Sequence, residues 1–209
     1  MPPTTSDHPT TTLTYFDSPA SRGEECRLAL HVAGVPFFDE RLAGPAWQER
    51  KASAPFGALP VLTLEGRPPL AQSNAILGYV GRTHGLHPSD PWEAARHEAI
   101  MGSVEDMRHR MGPIARIKDE ADKQRAREEA ARDYLPQWAA QIDRQIGGGP
   151  FVGGDRLQVV DLKLFVALTP YLAGKIDHVP TTVFSGAPRL LRLFEAVSAH
   201  PAVRAWYAR

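Results

Sequence analysis

Phe56-Gly57-Ala58-Leu59-Pro60-Val61-Leu62-Thr63-Leu64-Glu65-Gly66 decides the fold of the first half of this chain. Val61 to Leu64 is a short run of strand formers, Glu65-Gly66 supplies a hairpin turn, and Leu70 marks a short return strand. A proline directly before a strand is tolerated because its missing N–H removes no ladder hydrogen bond there. Read alone, Pro60 is an ordinary strand-edge proline. Further along, Gln72-Ser73-Asn74 opens a helix in which Ala75, Ile76, Tyr79 and Val80 have helical spacing and Ser73 suits the N-cap. Upstream, Thr11 to Phe16 reads as a strand. Ser21-Arg22-Gly23-Glu24 has capping-box spacing ahead of a helix that carries Leu28, Leu30, Val32 and Ala33 and stops at Gly34. Phe37 to Leu42 suits a second strand, and Ala46 to Ala52 a short, irregular helix.

The resulting order, βαβ, then α, then ββα, is a thioredoxin-like layout over residues 12–86. His87-Pro88-Ser89-Asp90-Pro91 reads as a linker, and beyond it strand signals fade. Trp92 to Met111 is one long helical pattern, and Ile114 to Ile146 another, interrupted near Pro136. Gly147-Gly148-Gly149-Pro150 breaks the pattern, Asp161 to Leu172 makes an apolar helix, and Pro188 to Ala208 the last one. Val152 to Leu162 reads as a helix entry, with Leu157 and Leu162 as a hydrophobic staple, Asp161 at N3 and Gln158 as a weak cap. Arg116 to Asp133 is dense in alternating charge, with pairs such as Glu128 and Arg132, and reads as a solvated face. The class is α+β, a thioredoxin-like βαβ-α-ββα domain followed by an all-α domain over residues 92–209.

Composition narrows the function. Lys+Arg and Asp+Glu are equal at 24 each in 209 residues, so nothing draws the chain to nucleic acid or an anionic membrane. Hydrophobic residues make up 43%, yet no apolar run approaches the roughly 20 residues of a membrane span. Met1 to Thr12 is polar and proline-rich, expected to be a loose tail rather than a signal peptide. Cys26 is the single cysteine, which excludes an intramolecular disulfide and a cysteine-based metal cluster. Placed among Leu28, Ala29 and Leu30, it reads as packed and inert. A soluble cytoplasmic protein is expected.

Thr14-Tyr15-Phe16, Trp47 with Lys51, Phe56 to Val61, and Gln72-Ser73-Asn74, in this order and spacing, resemble the glutathione-binding domain of the cytosolic glutathione transferases, most like their sigma-like, tyrosine-type members. His200-Pro201-Ala202-Val203-Arg204-Ala205-Trp206 resembles the family's ending. The resemblance spans nearly everything from Thr12 onward and implies the glutathione transferase fold. It also implies that Leu59-Pro60 is cis, so that Leu59 binds glutathione through its main chain. Gln72 and Ser73 would hold the γ-glutamyl carboxylate, helped by the helix dipole. Trp47 and Lys51, four apart on one helix face, would hold the glycyl end, although Lys51 read alone is a surface lysine. Asp106, in the pair Glu105-Asp106, would reach across a homodimer to the partner's γ-glutamyl amine. Glutathione is then a co-substrate, with no metal. An upstream acid of the family pattern is Gly102 here, and Pro113 stands where prostaglandin-isomerising relatives carry a substrate-stacking tryptophan.

Tyr15 is the implied thiol activator. A free thiol with a pKa of ~8.5 is mostly protonated at neutral pH. Lowering it by about two units needs roughly 2.7 kcal/mol. One phenolic hydrogen bond to the thiolate contributes about 1.5–3 kcal/mol. Asp17-Ser18-Pro19-Ala20-Ser21-Arg22 also resembles the loop of serine-type transferases and is one residue longer than the sigma-like pattern. Ser18 and Ser21 are therefore alternatives, and Arg22 matches a family arginine near the thiol. The thiolate would attack an electrophilic, largely apolar acceptor, a detoxification chemistry, in a pocket expected between the domains. Met107, Arg108, Met111, Trp206 and Tyr207 are the candidate walls. Two other readings stand beside conjugation: a glutathione-dependent isomerase, and a non-catalytic ligand-binding relative.

Overall fold

A computed structural model describes residues 11–209, and the expected tail lies, up to Thr10, outside the described residues. The chain divides into two compact units, the first ending at His84 and the second starting at Gly85.

The first unit holds β1 (Thr11–Phe16), α1 (Ser21–Val32), β2 (Phe38–Leu42), α2 (Gly44–Arg50), β3 (Val61–Leu64), β4 (Leu70–Ala71) and α3 (Ser73–His84). The strands lie in the order β2-β1-β3-β4, with β1 parallel to β2 and antiparallel to β3, and β3 antiparallel to β4. Period-2 alternation sorts the faces of β1. Leu13, fully buried and opposite Leu62, lies on the same face as Tyr15, and Cys26, Leu28 and Ala29 of α1 with Ile76, Leu77 and Val80 of α3 are buried with them. Thr12 and Thr14 point the other way, toward α2. Leu59-Pro60 is cis.

Two helix entries differ from expectation. Ser21 has φ 66°, away from the extended backbone a capping serine uses, and extended Ala20 holds the cap position without a side-chain hydrogen bond. Glu24 lies buried, 3.5 Å from Arg27. Ser73 is the first helical residue of α3 rather than its cap. Gln72, with φ 74°, offers the carbonyl that accepts the Ile76 N–H at 3.0 Å.

The second unit holds α4 (Pro91–Ala115), α5 (Glu120–Glu129), α6 (Leu135–Asp143), α7 (Val159–Leu172), α8 (Pro188–Ala199) and α9 (Pro201–Tyr207). Asp90 caps α4 by accepting the Glu93 N–H at 2.9 Å, and Asp119 caps α5 by accepting the Asp122 N–H at 2.8 Å. The second helical pattern therefore begins at Glu120, not Ile114. The interruption expected near Pro136 is present, as a turn rather than a break. A π-helical turn over Ala130–Tyr134 joins α5 to α6, with the Leu135 N–H reaching back to the Ala130 carbonyl. The widened turn accommodates a proline that has no N–H to give. The final helix is two, because the proline at 201 holds His200 extended (φ −62°, ψ 129°). α7 begins at Val159, two residues before Asp161, and is buried along most of its length. Asp161 accepts the N–H groups of Val152 and Gln158, each at 2.8 Å, while the Gln158 Oε1 is buried without a hydrogen-bond partner.

Candidate functional site

Strand register assembles the site. Thr14 pairs with Val61, and Val61 with Ala71. Continuing each ladder by one residue sets Tyr15 beside Pro60 and Pro60 beside Gln72, at one end of three adjacent strands. With neighbouring strands about 4.8 Å apart, the three residues lie within roughly 10 Å. Ser73 follows at the head of α3 and is buried, whereas Gln72 is exposed.

Tyr15 is buried, with its ring against α1. A Cβ on Gly23 would stand 2.0 Å from its Cδ1. The Arg27 guanidinium lies 5.7 Å from the ring centroid. Phe16 meets Tyr15 edge-on at 5.4 Å, and Trp47 meets Phe16 at 6.0 Å, so the rings run from β1 to α2. Ser18 is half-buried in the β1–α1 loop, its N–H bonded to the Phe16 carbonyl at 2.8 Å. Ser21 and Arg22 follow in the first turn of α1, both half-buried. Lys51 is exposed and keeps helical dihedrals just past α2, so its spacing from Trp47 holds.

Arg27 is the residue that sequence reasoning missed. Its side chain is 0% exposed. Nη1 donates to the Ser18 carbonyl at 2.7 Å, Nη2 to the Phe16 carbonyl at 3.0 Å, and Nε to Asp39 at 2.8 Å. The available signal was a lone cation inside the apolar run Cys26 to Leu30.

A cavity of about 280 Å³ opens on the α2 face of the sheet. Of the residues chosen from sequence, Trp47 and Leu59 line it; Tyr15, Gln72 and Ser73 do not. Glu40 in its wall accepts from the Thr14 hydroxyl at 2.8 Å and from Arg50 at 2.6 Å.

In the second unit, Asp106 is exposed on α4. Its neighbour Glu105 binds Lys163 at 2.6 Å and Arg108 at 2.8 Å. The phenol of Tyr134 is pushed up by burial first; Arg110 stacked on its ring at 4.2 Å opposes this, and Asp106 adds to it. Met107 is buried and accepts the Tyr171 hydroxyl at its sulfur, 3.6 Å away. Met111 is half-buried, Trp206 is buried with the Arg209 guanidinium 4.2 Å over its ring, and Tyr207 is exposed. Among the described residues no three His, Cys, Asp or Glu side chains gather to hold a metal, and no helix is long and apolar enough to cross a membrane.

Comparisons with known proteins agree with this architecture. The family model described as "Glutathione S-transferase, N-terminal domain" matches residues 11–82, and that described as "Glutathione S-transferase, C-terminal domain" matches residues 105–209. Glutathione S-transferase 1 of Ascaris suum is 34% identical over 203 residues, covering 94% of both chains. Hematopoietic prostaglandin D synthase of Gallus gallus is 32% identical over 194 residues, covering 93% of both. The crystal structure of the glutathione S-transferase from Ascaris lumbricoides superposes with a TM-score of 0.81 at 32% identity, over 96% of this chain and 97% of that one. The chain belongs to the glutathione S-transferase family.

Proposed function

We infer that the protein binds glutathione at the sheet end described above and transfers its sulfur to an electrophilic, largely apolar small molecule. The observation that carries this reading is the register, Thr14 opposite Val61 and Val61 opposite Ala71, which continued by one residue brings Tyr15 in β1 into line with Pro60 just before β3 and Gln72 just after β4. An extended tripeptide laid along that end meets the main chain of Leu59, the head of α3 at Ser73, and the α2 side with Trp47 and Lys51. The Tyr15 hydroxyl donates to the sulfur and stabilises the thiolate. Ser18 is the alternative donor. Arg22 adds positive charge. The thiolate forms a C–S bond with the acceptor; the leaving group departs with the bonding pair or, in a conjugate addition, the resulting carbanion takes a proton from water. Met107, Arg108, Met111, Trp206 and Tyr207 are proposed for the acceptor side, with Met107 contributing from a packed position. Asp106, exposed and free to face another protomer, serves the partner's glutathione in a homodimer. A detoxifying role in the cytoplasm fits this chemistry.

The likeness to prostaglandin D synthase favours one second reading, in which the same thiolate isomerises a specific metabolite and glutathione is released. Product analysis separates the two, since only conjugation consumes glutathione. The primary test is glutathione binding with the ultraviolet thiolate signal in wild type, Tyr15→Phe and Ser18→Ala. Tyr15→Phe should keep binding and raise the bound thiol's pKa by up to about two units, lowering the thiolate fraction, and turnover with it, by about 20-fold at neutral pH. Loss of the signal in Ser18→Ala alone would move the role to the serine, and absence of binding in the wild type would end the transferase reading.

A further inference from the structure

Tyr15 is the last residue but one of β1, and a tyrosine ring there has several rotamers open to it. Two features of α1 remove that freedom. Gly23, in the first turn, leaves a hollow that the ring fills: an added Cβ would stand 2.0, 2.3 and 2.7 Å from Cδ1, Cγ and Cε1. No real side chain tolerates such distances, so any residue larger than glycine displaces the ring. One turn on, Arg27 stands over the ring at 5.7 Å and ties the carbonyls on either side of Asp17, those of Phe16 and Ser18. Asp39 at 2.8 Å and Glu24 at 3.5 Å balance its charge, so the guanidinium is held without access to water.

We propose that Gly23 and Arg27 are positioning residues for thiol activation: Gly23 seats the Tyr15 ring against α1, and Arg27 locks the β1–α1 loop that fixes where the Tyr15 hydroxyl points. The inference rests on Tyr15 being the activator. A hydrogen bond to sulfur weakens steeply once its angle opens, so a displaced ring loses thiolate stabilisation while the groups that hold the glutathione backbone stay in place. Arginine suits the second role because its planar fork spans two carbonyls and a carboxylate at once, which an ammonium cannot do.

The test is the apparent pKa of the bound glutathione thiol, read from thiolate absorbance across pH. The proteins are wild type, Tyr15→Phe, Gly23→Ala, Arg27→Lys and the Gly23→Ala/Tyr15→Phe double variant. Gly23→Ala and Arg27→Lys should each bind glutathione like wild type yet raise the bound thiol's pKa by about one unit. Turnover at neutral pH should fall about threefold with KM for glutathione unchanged. In the Tyr15→Phe background Gly23→Ala should add nothing, since the hydroxyl it misplaces is gone. If Tyr15→Phe keeps the wild-type thiol pKa, the Tyr15 reading falls and takes this proposal with it. If Tyr15→Phe loses the thiolate while Gly23→Ala and Arg27→Lys titrate like wild type, the positioning role is overturned and the Tyr15 reading stands. Should Gly23→Ala yield no folded protein, Arg27→Lys decides between the same outcomes.

Discussion

Arg27 and Lys163 are both 0% exposed cations, one in each unit, and they use their charge differently. Arg27 spreads three nitrogens over two carbonyls and a carboxylate, all in or beside one loop and its neighbouring strand. Lys163 directs a point charge at Glu105 and so joins α7 to α4, and Arg108 shares the same carboxylate oxygen. The first cation fixes backbone geometry beside the proposed chemistry. The second fastens two helices. A buried charge is expensive in either setting, and what it secures tells which part of the molecule depends on it.

Removing the cations should break this comparison if it is wrong. Arg27→Met strands Asp39 and two carbonyls, and should cost about 3–5 kcal/mol in denaturant unfolding. Lys163→Met should cost less, about 1–2 kcal/mol, because Arg108 still pairs with Glu105. Glutathione conjugation should survive Lys163→Met. Equal losses of stability, or equal losses of turnover, would erase the distinction drawn between the two sites.

Acid should sharpen the contrast by acting on the second unit. His97 is pushed down to about 4 by burial, then by His87 at 6.1 Å and Arg96, against Glu93, which acts in the opposite sense. The unfolded imidazole takes its proton near pH 6.5 and the folded one only near 4, so stability falls as pH drops through that window, by about 3 kcal/mol in total. His97→Asn should flatten the acid limb of a stability–pH curve. A limb unchanged in the variant would assign it to other groups. The smallest expected effect is a gain. Gln158→Ser replaces a buried, unpartnered amide oxygen with a hydroxyl short enough to cap α7, worth about 1 kcal/mol and visible as a higher Tm.

The sequence was legible where local chemistry decides structure. The βαβ-α-ββα order, the Glu65-Gly66 turn and the stop at Gly34 all follow from residues near one another in the chain. Ser21 misled because its backbone is left-handed, so the cap position falls to Ala20, which no capping pattern encodes. Pro136 marked an interruption, and the structure supplies it as a widened turn between α5 and α6. His200-Pro201 broke a helix that apolar periodicity alone would continue. At the site, Tyr15, Leu59-Pro60 and Gln72 could be picked out singly, but their alignment at one sheet end depends on antiparallel pairing across some 45 positions of chain, as Thr14 opposite Val61 shows. Arg27 was passed over because a charged residue in a helix is usually at the surface.

Among the described residues β2 is an edge of the sheet, and its composition has a consequence for how the protein behaves when crowded. Unpaired N–H and C=O groups along an edge strand invite a strand from another molecule. Here the edge carries Asp39-Glu40-Arg41 in succession. Arg41 is bound to Asp39 at 2.8 Å and to Asp17 at 2.9 Å, and Glu40 to Arg50 at 2.6 Å. A newcomer would have to dislodge these ion pairs on both faces before its own hydrogen bonds could form. The flank is thereby a poor template for aggregation, and concentrated solutions of this protein are guarded against intermolecular sheet growth by the same three residues that complete the fold.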